Sequence, residues 1–178
     1  MTIQLGPARA IDAETFGRPG ERTFRLRILA GDGQSASVWM EKEQFQALSM
    51  ALAQVMSQLS YEGPAAESPV DEFPEVADHD LRAGRMAISL DPRAGAVSLY
   101  AYDILAEEES DPTLRVDLNA GQCLFLRGQV DSIIVAGRPV CPLCHLSIDP
   151  AGHACIRSNG HSRQPLPDQD AGPGEEQQ

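Results

Sequence analysis

The feature that most constrains the fold is a pattern of apolar residues that recurs after a shift of 78 positions, from 23 to 101. In the first copy, Phe24, Leu26 and Ile28 alternate with polar neighbours, and a period of two is typical of a half-buried strand. The shift places segment 23–28 on segment 101–106, where Tyr102, Ile104 and Ala106 hold the alternating positions. The two segments are therefore predicted to be equivalent strands.

A second strand and a helix follow in each half at the same shift. The helices are predicted from apolar residues spaced three and four apart, which form one stripe on a helical surface. Asn119 with Gln122 three residues later has the pattern of a capping box at the start of the second helix. The matched apolar sets are Ala36, Val38 and Met40 with Leu114, Val116 and Leu118 for the strands, and Phe45, Leu48, Leu52 and Val55 with Cys123, Leu126, Val130 and Ile133 for the helices.

These patterns predict an α+β body over residues 1–137. It would consist of two pseudo-repeated strand–strand–helix units, at about 8–61 and 81–137, with an antiparallel sheet. Segment 62–80 contains three prolines and seven acidic residues and is expected to be a solvated linker. The acidic tail, 164–178, has almost nothing to bury and is expected to be disordered.

Further strands are expected upstream in each half. One lies around 8–12 and the other over 85–90, RMAISL, which would pair with 97–104 through the turn DPRAG. Cys123 falls at the position of Phe45 on the helical stripe, so a buried, chemically inert role is favoured over a ligand role. Met50 and Met56 are likewise assigned to the core or to a contact surface.

Segment 141–161 carries a metal-binding pattern. Cys141 and Cys144 are separated by two residues, which lets both thiolates reach one ion. The turn sequence Asp-Pro-Ala-Gly then reverses the chain and brings back His153 and Cys155, whose side chains face the same way on an extended strand. The spacing predicts a small zinc-ribbon-like hairpin over 138–163 with one structural Zn²⁺ per chain.

The nitrogen ligand and the metal are not settled by the spacing. His161 is an alternative to His153, and His145 directly follows the second cysteine, where its ring is expected to point away from the ion. Iron also binds thiolate-rich sites. A closed structural site is favoured over a catalytic one, because candidate ligands exceed the four positions and no glutamate is placed as a general base.

The chain resembles an uncharacterised, mainly actinobacterial family designated domain of unknown function 3090. The resemblance rests on a GxPGxRTF-like segment at 17–24 and on a CPLC…DPxGHxCxRxNG signature at 141–160. Two positions depart from that signature: His145 stands where the family usually has Gly, and Ile156 where it often has Pro. Neither departure removes a proposed ligand. The resemblance implies association with genes for phosphatase-like and lipid-kinase-like proteins, but no mechanism.

Charge and motif content narrow the function. A formal net charge of -12 argues against nucleic acid and anionic lipid as partners, since both require a basic face. No apolar run has the length of a signal peptide or a membrane span, so a cytoplasmic protein with reduced cysteines is expected. The sequence predicts no catalytic and no cofactor-binding residues. The metal ligands are the only site residues that it predicts.

The sequence therefore favours a non-catalytic binding or adaptor protein whose partner is another protein and whose oligomeric state is open. The alternative is a phosphate-directed enzyme or hydrolase that uses Arg138, Arg157 and Arg163 beside the metal. Nucleic-acid binding through the mildly basic zinc hairpin is a third hypothesis, which the overall charge disfavours.

Overall fold

The computed structural model divides the chain into two units, Met1–Arg138 (unit 1) and Pro139–Gln178 (unit 2). Each unit is described by itself. The predicted tail, 164–178, lies outside the described residues. These comprise residues 1–17, 21–59, 61–66, 73–93, 95–137, 141–144, 148 and 155.

Unit 1 is an α+β structure in which three strands and a helix follow one another twice, and this confirms the predicted fold class. Each half thus has three strands, with the upstream strands longer than expected. No helix in the described part of the chain is long and apolar enough to cross a membrane. The elements are β1 (Ile3–Phe16), β2 (Thr23–Ala30), β3 (Ser35–Met40), α1 (Lys42–Leu59), β4 (His79–Asp91), β5 (Ala96–Asp103), β6 (Leu114–Leu118) and α2 (Ala120–Ala136).

The six strands form a closed barrel in chain order. Hairpin connections make β1–β2, β2–β3, β4–β5 and β5–β6 antiparallel, but β3 pairs with β4 and β1 with β6 in parallel. The prediction of an antiparallel sheet is therefore wrong at two of the six pairings. The cause is α1, which carries the chain back between β3 and β4 so that both strands run in the same direction.

The apolar sets predicted for β2, β3 and β6 are buried, whereas the set predicted over 101–106 is wrong. Strand β5 ends at Asp103, and its buried apolar residues are Val97, Leu99 and Ala101. Ile104 is 52% exposed. The error arises because the connection from β5 to β6 is longer than that from β2 to β3, so one shift cannot align both the hairpins and the helices.

One hydrophobic core joins the inner faces of the strands to the stripes of both helices. Phe24 of β2 stacks on Phe45 of α1 with ring centroids 4.6 Å apart. Cys123 is fully buried, as predicted, and so is most of its stripe. Met56 also joins the core, but Met50 is 74% exposed. The buried residues of this core that the structure describes all belong to unit 1.

Each helix is attached to a long strand by a glutamine in its first turn. The predicted capping box of α2 is present: Gln122 accepts a hydrogen bond from the backbone N–H of Asn119, and its amide donates to Ala8 O at 2.8 Å. In α1, Gln44 accepts from Glu41 N–H. Its amide donates to the carbonyls of Ala83 and Gly84 at 2.9 and 2.7 Å. Both contacts fall at β-bulges, which lie between Ala8 and Ala10 and between Ala83 and Arg85.

The connection between β1 and β2 fixes the far end of α2. Gly17 has a φ of +94°, and a Cβ there would lie 2.6 Å from the backbone oxygen of Glu21, so the turn requires glycine. Arg22 follows this turn and donates to the carbonyls of Ile133 and Ala136 at 3.5 and 3.4 Å. The arginine thus bonds carbonyls of the last turn of α2, where Ile133 O also accepts from the backbone N–H of Gly137 at 3.1 Å.

The acidic segment 62–80 is not simply a solvated linker, although 67–72 lie outside the described residues. Its last two residues, His79 and Asp80, already belong to β4. The Asp78 carboxylate accepts hydrogen bonds from the backbone N–H and the hydroxyl of Ser35 at 2.9 and 2.7 Å. These contacts align the start of β4 with the start of β3.

Replacement of Gln122 by Ala should destabilise unit 1 by about 1–3 kcal/mol, because it removes a cap and leaves strand carbonyls without their donor. Urea unfolding measures the change. Gln54→Ala is the matched control, since Gln54 is exposed on α1. An equal loss in both variants would contradict the role assigned to Gln122.

Hydrogen bonds from Ser35 hold the pKa of Asp78 below its ordinary value. A lowered folded-state pKa contributes stability that is present above the ordinary aspartate pKa and is lost as pH falls through the folded value. Ser35→Ala should therefore raise the pKa of Asp78, and Asp78→Ala should flatten the acid limb of the stability–pH profile. Carboxyl NMR titration and urea unfolding at several pH values test the two statements; an unchanged Asp78 pKa in Ser35→Ala would contradict them.

Candidate metal centre

Three cysteines of unit 2 converge within a short stretch of chain. Cys141 and Cys144 lie at the two ends of a turn, and Cys155 returns beside them. The three Sγ atoms all lie within 4.8 Å of one another. Cys141 and Cys155 are buried, with 5% and 6% of their surface exposed, and Cys144 is partly exposed. The sequence predicted all three as metal ligands, and the structure brings them together.

The spacing of the sulfurs suits a shared metal ion. Cys141 Sγ and Cys155 Sγ are 3.7 Å apart. Two thiolates bound to one tetrahedral zinc at about 2.3 Å must lie about 3.8 Å from each other. A disulfide would require about 2.0 Å. The Cys141–Cys155 separation therefore suits two ligands of one metal ion rather than a disulfide, and Cys144 Sγ lies within 4.8 Å of both.

The predicted fourth ligand belongs to a part of unit 2 that the structure does not describe. His153, the predicted nitrogen ligand, lies outside the described residues, as do the alternatives His161 and His145. The same holds for Arg138, Arg157 and Arg163, on which the enzyme alternative depends. The assignment of the nitrogen ligand therefore stays a prediction.

Cys123, the remaining cysteine, belongs to a different environment in unit 1. It has no exposed surface and packs in the core beside Leu126 and Val130. Burial raises the pKa of its thiol to about 12, because a thiolate there would lose its hydration. The thiol is thus protonated at neutral pH, which removes it from nucleophilic and metal-binding chemistry.

A model of the family described as "Protein of unknown function (DUF3090)" matches residues 4–155. The chain belongs to this family. The match includes all eight elements of unit 1, apart from the first residue of β1, and the three clustered cysteines of unit 2. It confirms the family resemblance inferred from the sequence motifs.

No curated protein matches the chain significantly. The description of the DUF3090 family carries no activity, so the comparisons place the chain in a family without assigning its chemistry.

In a thiol titration of the metal-free protein, Cys123 should not react until the protein is unfolded, because it is buried and protonated. Cys123→Ala should leave the number of thiols that react in the folded state unchanged and lower the number in denaturant by one. Ellman's reagent with and without guanidinium measures both. A lower count in the folded Cys123→Ala protein would contradict the burial of this thiol.

Proposed function

We propose that this protein is a non-catalytic binding protein that carries one structural zinc ion in unit 2. The observation that carries the proposal is the approach of Cys141, Cys144 and Cys155 to within 4.8 Å of one another. Thiolates are ligands that zinc prefers, and three of them with one imidazole nitrogen complete a tetrahedral site. His153 is the nitrogen donor we assign, with His161 as the alternative.

A closed ligand set supports a structural rather than a catalytic ion. Catalytic zinc normally has three protein ligands and a water molecule in the fourth position. Three cysteines and one histidine would leave no position for water, so the ion would hold the chain of unit 2 together without activating a nucleophile. Two of the three sulfurs are buried, which also limits access to the ion.

The binding role is supported by the separate core of unit 1. The buried residues of this core that the structure describes all belong to unit 1. The function we propose for the metal is therefore to shape a recognition surface in the smaller unit. A protein is the partner we propose, because the net charge of -12 disfavours nucleic acid and anionic membranes.

The test is metal analysis of the full-length protein and a matched set of variants. Wild type should contain one zinc per chain. Cys141→Ser, Cys144→Ser and Cys155→Ser should each weaken zinc binding by at least about a hundredfold, because a hydroxyl is a poor replacement for a thiolate ligand. Cys123→Ala is the control and should retain the full zinc content. Elemental analysis after dialysis against a competing chelator gives the ratio and distinguishes zinc from iron.

The nitrogen ligand and the coordination number need a second measurement. X-ray absorption at the metal edge should report three sulfur neighbours and one nitrogen in wild type. His153→Ala should lose that nitrogen, whereas His161→Ala and His145→Ala should keep it. A water molecule in the wild-type coordination shell would contradict a closed structural site, and an absence of bound metal would contradict the proposal as a whole.

A further inference from the structure

The second half of β4 has a strand neighbour on one side only. Strand β3 pairs with β4 from His79 to Arg82 and stops there, because the chain turns into α1 after Met40. Residues 85–91 pair with β5, and no described strand lies on their other side. In an antiparallel ladder, alternate residues direct their N–H and C=O groups away from the partner strand. This edge therefore presents backbone groups that can accept another strand.

Helix α1 leaves space beside this edge. A cavity of about 330 Å³ is bounded by α1 and by residues 85–88 of β4. From α1, two alanines, Ala47 and Ala51, line it. Their small side chains permit a close approach of a further backbone, while Met86 and Ile88 are only partly buried. The small and apolar residues that line the cavity thus leave room for a further strand beside β4.

At the equivalent edge of β1, a side chain of α2 forms a hydrogen bond to the strand. Gln44 and Gln122 hold the same position in the first turns of α1 and α2. Seven residues further along, α1 has Ala51 and α2 has Gln129. The side chain of Gln129 accepts a hydrogen bond from the backbone N–H of Ala13 on β1 at 2.8 Å. An alanine cannot make this bond. The edge of β4 therefore lacks the hydrogen bond to a helix side chain that satisfies a backbone N–H on the edge of β1.

The side chains of segment 85–91 are complementary to those of a second copy of the same segment that runs antiparallel to it. Residues 85–91 read Arg-Met-Ala-Ile-Ser-Leu-Asp, with Ile88 at the centre. If two copies pair antiparallel about Ile88, Arg85 lies opposite Asp91 of the second copy, and Met86 lies opposite Leu90. The apolar pairs fall on one face and the charged pairs on the other, because side chains alternate along a strand.

Arg85 has the freedom to make this pair. Its guanidinium lies 3.8 Å from the centroid of the Tyr102 ring, and the ion pairs among the described residues do not include it. The Asp91 carboxylate accepts a hydrogen bond from the backbone N–H of Arg93 at 2.9 Å, which holds it at the end of β4. It is also the one charged residue among those that line the cavity. A carboxylate from a second copy would therefore meet an exposed cation at the edge of the groove.

We propose that the protein forms a symmetric dimer in which the β4 edges of two copies pair antiparallel about Ile88, with Arg85 of each copy facing Asp91 of the other. A two-fold axis at Ile88 makes the contact identical for both copies and closes the assembly at two. The proposal goes beyond the binding function assigned above and is independent of the metal, because all these residues belong to unit 1.

Charge-reversed variants of the full-length protein test both the surface and the register. Sedimentation velocity of wild type should show a monomer–dimer equilibrium with a Kd on the order of micromolar. Arg85→Asp and Asp91→Arg should each weaken dimerisation at least about tenfold, because each places two like charges opposite one another twice in the dimer. A one-to-one mixture of the two variants should restore dimerisation to about the wild-type level, since every charge then faces its opposite.

Matched controls separate this surface from general charge effects and from the metal site. Arg93→Asp makes the same charge change in the exposed turn beyond Asp91 and should dimerise like wild type. A Cys141→Ser/Cys144→Ser variant should also dimerise like wild type, so loss of zinc and loss of the dimer are separate results. Restoration in the mixture shows in addition that both charge variants are folded.

Three results would overturn the proposal. One is a wild-type chain that stays monomeric up to about 200 µM, two orders of magnitude above the expected Kd. Another is a dimer that the single variants at Arg85 and Asp91 leave unchanged. The third is a pair of monomeric variants whose mixture stays monomeric, because that outcome contradicts the register centred on Ile88.

Discussion

Both helices depend on a glutamine that serves two backbone sites at once. Gln44 and Gln122 each accept the N–H of the residue that precedes the helix and each donate to carbonyls at a β-bulge. Buried backbone groups must be paired, and a bulge leaves carbonyls that the sheet does not pair. One side chain therefore fixes where the helix starts and how it lies on the strand. With the helix held in this position, its apolar stripe faces the core.

The glutamine contact is followed by different contacts in the two halves of unit 1. Along α2, the contact begun by Gln122 continues through Gln129, so the edge of β1 is bonded to the helix at two places. Along α1, the contact ends at the bulge beside Gly84, and alanines follow. A difference of a few side chains on two helices thus decides which long strand is bonded to its helix beyond the bulge.

The sequence predicted features that depend on local spacing and missed those that depend on distant parts of the chain. The helical stripes, the capping box at Asn119 and the approach of the three cysteines follow from neighbouring residues, so they were predicted. The register of β5 was missed because a longer connection broke the single shift between the halves. The parallel pairings were missed because a period of two does not encode strand direction. The open edge of β4 was missed because it arises from small residues on α1 together with the early end of β3.

The parallel pairing of β1 with β6 has a consequence for the order of folding. Ile3 lies opposite Leu114, so the barrel closes through the strand pairing with the largest sequence separation among the six. Such a pairing raises contact order, and the entropy of closing so long a loop slows folding. During synthesis the chain emerges from its N-terminus, and the start of β1 must wait until β6 has left the ribosome. The first residues of β1 are therefore among the last residues of unit 1 to find their partner strand.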